Sequence, residues 1–154
     1  MTLDITIEDS RWQQAGLEPL AQQAVAAALA RFNLDVEDCE IALLGCDDDQ
    51  IADLNSKFRS KPVATNVLSW PAEDLAAEEP GGAPLQPEAD FTGEISLGDI
   101  AIAYDTCLRE ADAANKPLKD HLRHLVVHGV LHLLGYDHIR DPDATVMEGL
   151  EVEI

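Results

Sequence analysis

Three histidines in the segment His128-Gly129-Val130-Leu131-His132-Leu133-Leu134-Gly135-Tyr136-Asp137-His138 constrain this chain more than any other feature. Side chains four apart on a helix share a face, separated by about 6 Å of rise, so the imidazoles of His128 and His132 can converge on one ion. A helix continuing at its usual pitch would turn His138 roughly 120° away from His132. The chain must bend first, and Gly135 is the residue type that accepts the positive φ of a helix-terminating turn. With the helix stopped there, Tyr136, Asp137 and His138 swing back and complete a set of three neutral imidazoles. Three nitrogen ligands leave one position open, which is the make-up of a catalytic zinc site rather than a closed structural one.

A pair of histidines at this spacing is also what two half-buried neighbours on an apolar helix look like. The third histidine, just past the glycine, favours the metal, because Leu131, Leu133 and Leu134 already supply the packing. Imidazole ligands suit zinc, though nickel and copper bind them too. His121 and His124 project within about a quarter-turn of the same face and are alternative ligands. They precede the pair by one to two turns, so His124 is assigned to packing or to support behind the ligands. Asp137 either orients a ligand imidazole through a hydrogen bond or satisfies the tight turn after Gly135. Met147 belongs to an amphipathic segment and reads as core.

The spacing is also that of the metzincin proteases, His-Glu-x-x-His-x-x-Gly-x-x-His, whose glutamate is the general base. Here Gly129 stands in the glutamate's place. Loss of such a base removes about 10²–10⁴-fold of rate, which leaves a zinc-dependent peptidase as a rival reading only. Zinc lowers the pKa of its water to about 7 unaided, so a hydrolase without that carboxylate is still workable.

Further blocks lie upstream in a fixed order: Leu54-Asn55-Ser56-Lys57-Phe58-Arg59, Thr65-Asn66-Val67-Leu68-Ser69-Trp70 and Leu97-Gly98-Asp99-Ile100-Ala101-Ile102. Together with the histidine segment they resemble the YbeY family of bacterial metal-dependent endoribonucleases, also described as rRNA maturation factors. Asn66 departs from the aspartate the family commonly has, and Trp70 from its usual phenylalanine; neither change touches a metal ligand. The resemblance implies a single-strand-specific endoribonuclease acting in ribosomal RNA processing, small-subunit rRNA maturation and ribosome quality control. It implies RNA, ribosomal proteins or a ribosome-associated GTPase as partners. It also makes Arg59 the catalytic cation, with Lys57 and Lys61 flanking it as substrate-binding groups. The chemistry agrees: a guanidinium is a planar, permanently charged fork that binds phosphate oxygens and offsets the charge of a phosphoryl transition state. Without the resemblance, the same three residues read as solvated cations at a helix C-terminus.

Charge pulls the other way. With 30 acidic and 10 basic residues, a net charge of −20, the chain is repelled at long range by free polyphosphate, which excludes a tight, sequence-reading RNA module. Lys57, Arg59 and Lys61 nevertheless cluster, and Lys116, Lys119, Arg123 and Arg140 bracket the histidines in sequence. A basic lip on an acidic body predicts weak intrinsic affinity for RNA and delivery by a protein partner or the assembling ribosome. The same charge fits a second rival, a non-catalytic ribosome-assembly adaptor in which the metal stabilises the fold.

At 154 residues and 46% hydrophobic content, one domain spanning residues 1–154 is expected. The start lacks the basic and apolar regions of a secretory signal, and no apolar run approaches the ~20 residues that span a bilayer. Cys39, Cys46 and Cys107 lack metal-knuckle spacing and read as reduced thilos of a cytoplasmic protein. Patterning predicts strands at Leu3–Glu8, Cys39–Leu44, Val67–Trp70 and Gly93–Tyr104, the last with a bulge at Gly98. It predicts helices from Pro19 to about Phe32, from an Asp47/Gln50 capping box to Arg59, over Asp105–Ala114, from Pro117 through the histidines, and after Asp141-Pro142. A Pro- and Gly-rich acidic loop, expected to be mobile, fills 71–90. The sum is an α+β fold: a single small domain, a mixed β-sheet packed with helices, and a central histidine-bearing helix carrying a metzincin-like zinc site.

Overall fold

The eight residues Cys39–Cys46 alternate between buried and more exposed positions along most of their length and form the strand β2 on which the sheet is built. The computed structural model describes residues 3–32, 34, 39–59, 66–71 and 95–134. Within them the order is β1 (Leu3–Ile7), α1 (Arg11–Gln14), α2 (Leu17–Ala30), β2, α3 (Asp48–Arg59), β3 (Val67–Pro71), β4 (Ile95–Ala103), α4 (Tyr104–Ala113) and α5 (Leu118–Leu133). The four strands make one sheet in the order β1-β2-β4-β3. β1, β2 and β4 run parallel, and β3 is antiparallel to β4, so the sheet is mixed as expected. Parallel neighbours need a crossover, and α2 supplies it between β1 and β2.

Each sheet face has its own core. Ile41 and Leu43 of β2 and Leu97, Ile100 and Ile102 of β4 join a large cluster with α2 and α5. Cys46, Leu68, Ala101 and Ala103 meet Ile51 of α3 in a smaller one. Leu97 and Ile100 are three residues apart, which a regular strand would send to opposite faces. The register shift between Glu40 and Ile41, which pair with Ser96 and Gly98, leaves Leu97 as an extra residue and restores the alternation. Gly98 accommodates that bulge at φ 136°, a region closed to most side chains.

Element boundaries depart from the sequence reading at the ends. α2 starts at Leu17, so Pro19 is its third residue, still within the turn whose amides lack helical partners. The single turn α1 is unforeseen: it is too short to show periodicity, and it forms because Asp9 accepts the Arg11 amide while Trp12 is driven into the large core. The expected cap of α3 is present, with the Gln50 amide donating to Asp47 Oδ1 at 2.8 Å. Most of the 71–90 loop, the Gly135 turn and the helix after Asp141-Pro142 lie outside the described residues. Among the described residues no helix is long and apolar enough to cross a membrane.

Two polar clusters fasten the helices beyond the sheet. Asp48, in the first turn of α3, accepts from both the amide and the hydroxyl of Thr106 in α4, at 3.0 and 2.9 Å. Arg11 donates to Asp9 and to Asp105 at 2.6 and 2.7 Å, with its guanidinium 4.4 Å from the centre of the Tyr104 ring. The hydrogen bonds from Arg11 hold both carboxyls below the usual aspartate range. Burial pushes the Cys46 thiol up to about 12 and raises Cys107 as well, so neither offers a thiolate at neutral pH.

Because Asp9 and Asp105 ionise more readily folded than unfolded, they stabilise the fold above about pH 4. That contribution disappears as pH falls through their folded values. Arg11→Gln should therefore lose stability at neutral pH and flatten the acid limb below pH ~4. Urea unfolding over a pH series measures both, and parallel acid limbs for the variant and wild type would contradict the assignment.

Candidate functional site

α5 carries the histidines because its apolar residues, Leu122, Leu125, Val126, Val130, Leu131 and Leu133 among them, bury one side in the large core. His121, His124, His128 and His132 then fall within one narrow stripe of the remaining surface. His128 and His132 are half-buried, and their Nε2 atoms approach to 2.9 Å with ring planes at 82°.

That approach bears on whether an ion fits. A tetrahedral ion with bonds of about 2.0–2.1 Å separates two ligand nitrogens by about 3.3 Å. The separation of the two Nε2 atoms is within a few tenths of an ångström of that value. They also sit at the distance of a single N–H···N hydrogen bond, which requires one ring to donate and the other to accept. The donor set thus suits zinc as far as two ligands. Among the described residues no group of three or more histidine, cysteine or acidic side chains is disposed to hold a metal. His138, the third expected ligand, lies outside the described residues, as do Asp137 and Lys61.

The remaining candidates separate clearly. His124 is exposed rather than packed, its ring roughly parallel to that of His128 with centroids 6.3 Å apart. His121 is drawn away from the pair, its Nε2 lying 2.9 Å from Glu110 Oε1. Lys57 is exposed and pairs with Asp53 at 3.2 Å along α3, an exposed contact of small energy. Arg59 is the last residue of α3, as the sequence placed it; its side chain is outside the description. The sequence reading missed Glu110, which also accepts from Asn66 Nδ2 at 3.0 Å. It missed as well that Asn55 and Ser69, both inside the blocks carrying the resemblance, are buried polar residues.

Position 129 leaves little room for the metzincin glutamate. A Cβ added to Gly129 would lie 3.1 Å from Ile100 Cδ1 and 3.3 Å from its Cγ2, so this point on α5 faces β4 at close range. A glutamate there would push a carboxylate into an apolar contact.

Fold and site together define a small α+β protein that presents two converging imidazoles from a helix packed against a mixed sheet. The family model described as endoribonuclease YbeY matches residues 3–154, and the chain belongs to that family. A relative from Ruegeria pomeroyi named endoribonuclease YbeY is 69% identical over 154 residues, covering 100% of this chain and 92% of that protein. One of the same name from Dinoroseobacter shibae is 54% identical, covering 99% and 84%. The solution structure of TM1509 from Thermotoga maritima superposes with a TM-score of 0.58 at 20% identity, covering 99% of this chain and 85% of that one; it shows the fold alone.

Gly129→Glu, which recreates the metzincin sequence, should destabilise the protein by about 3 kcal/mol or more and confer no peptide cleavage. Urea unfolding and a casein assay check this; a stable variant with proteolytic activity would reinstate the peptidase.

Proposed function

We propose that this protein is a zinc-dependent, single-strand-specific endoribonuclease that acts in the cytoplasm on ribosomal RNA, in small-subunit maturation and ribosome quality control. The observation that carries the reading is the full-length family match, 69% identical to a named endoribonuclease, on a chain whose central helix brings two imidazole Nε2 atoms within 2.9 Å of each other. His128, His132 and His138 would hold the ion, whose chemistry there is Lewis-acid polarisation of a phosphoryl oxygen and acidification of water. Arg59, at the exit of α3, binds the scissile phosphate through its fork of donors and offsets the charge that grows in the transition state. Lys57 and Lys61 add positive charge along the same strand of RNA.

The net charge of −20 supports a further part of the reading: RNA is presented by ribosomal proteins or a ribosome-associated GTPase rather than captured from solution. The same charge is the one observation that favours the non-catalytic adaptor.

Wild type, Arg59→Glu and His132→Ala distinguish the two. Arg59→Glu should keep fold and zinc while lowering cleavage of single-stranded RNA by about 10²-fold or more. His132→Ala should lose zinc and activity together. Equal trace cutting by all three proteins, with wild type no better than the variants, would leave the adaptor standing.

A further inference from the structure

Away from the histidine pair, one polar network joins three elements. A single carboxylate oxygen, Glu110 Oε1 on α4, accepts from Asn66 Nδ2 at 3.0 Å and faces His121 Nε2 of α5 at 2.9 Å. Asn66 is engaged at every polar group of that end of its residue. Its Oδ1 accepts the Val67 amide at 2.6 Å, and its backbone oxygen accepts the Ala103 amide at 2.9 Å. The amide orientation is therefore fixed by chemistry, with its oxygen on a donor and its nitrogen on an acceptor. The His121 side chain is only 14% exposed, so the link is partly shielded from water.

The position of this network matters more than its strength. α5 packs against β3, and Asn66 immediately precedes that strand. From His121 to His128 the helix rises about 10 Å. From Asn66 to Ser69 the strand advances about 10 Å as well. Gly129 faces Ile100, which pairs with Ser69, so α5 advances along β3 in the strand's own direction, and the bridge from His121 through Glu110 to Asn66 brings His128 near the level of Ser69, the buried polar residue of β3. Ser69 shares the strand face of Val67, which packs on the large core containing α5. Apolar contact between a helix and an edge strand has no direction and tolerates sliding, whereas bonds to a carboxylate are directional.

We propose that Asn66, Glu110 and His121 pin the register of α5 along β3, and that Glu110 and Asn66 are thereby positioning residues for the histidine pair. The inference rests on the endoribonuclease reading for its kinetic consequence and on geometry alone for its structural one.

The test uses Glu110→Ala, Glu110→Gln and Asn66→Ala in the full chain, followed by zinc content, the imidazole proton signals of His128 and His132 in NMR spectra, and kcat and KM on a short single-stranded RNA. Glu110→Ala should displace both sets of ring signals and lower kcat about tenfold or more, with zinc retained and KM near wild type. Asn66→Ala should act in the same direction. Glu110→Gln keeps an oxygen that accepts both bonds and should return the signals and most of kcat. Unmoved ring signals in Glu110→Ala, a kcat loss matching only the unfolded fraction, or a glutamine no better than alanine would each overturn the pin. Failure of wild type to cut RNA would defeat the endoribonuclease reading instead, and the ring signals would still judge the pin.

Discussion

α5 is seated close against β4 at Gly129, where an added Cβ would come within 3.1 Å of the Ile100 side chain. A larger residue would have to lift the helix or displace Ile100, in a core where added volume costs about 1–3 kcal/mol. The consequences reach the site directly. His128 adjoins Gly129 in sequence, and His132 lies one turn on, so the seating of that turn on the sheet decides how deeply both imidazoles sit. The residue that permits this seating also denies the position to a general base. In the proposed chemistry acid–base work would fall to water on the ion and to groups brought from other elements, while Arg59 at the end of α3, permanently charged, would offset negative charge rather than move a proton.

Much of this was legible in the sequence, for identifiable reasons. The period-2 pattern of Cys39–Cys46 and the apolar stripe of α3 are local signals, and both elements formed within two residues of where patterning placed them. Gly98 announced a bulge, although the residue left over in the register is Leu97. The histidine spacing foretold that His128 and His132 share a face and approach each other, because residues four apart on a helix are neighbours. Contacts made across the fold were not legible. Asn66 and Glu110 are 44 residues apart, and Glu110 is one of 30 acidic residues with nothing in its neighbours to single it out. The turn α1 escaped because it owes its existence to Trp12 and Asp9 rather than to any helical pattern. Of the two roles expected for His124, packing or support behind the ligands, packing does not hold: the stripe it belongs to emerges from the core at that turn and leaves it exposed.

Charge sets how a polyanion could reach such a surface. Among the described residues, the cations Arg11, Lys57, Arg109 and Arg123 each lie within 3.2 Å of a carboxylate. Exposed pairs of this kind contribute little to stability, but they pull the positive ends of long side chains onto the protein and weaken the field they project. Lys57, one of three cations in the segment ending at Lys61, is among them. The share of Lys57 in the basic lip inferred from sequence is accordingly reduced, and beyond a Debye length of about 8 Å in physiological salt an approaching strand responds mainly to the net charge of −20. Short-range contacts can still hold a phosphate once it is in place, because opposite charges at contact distance outweigh a screened background. On the reading proposed above, an acidic nuclease would favour RNA already held nearby over RNA free in solution, and its selectivity would be set as much by what presents the strand as by the site that cuts it.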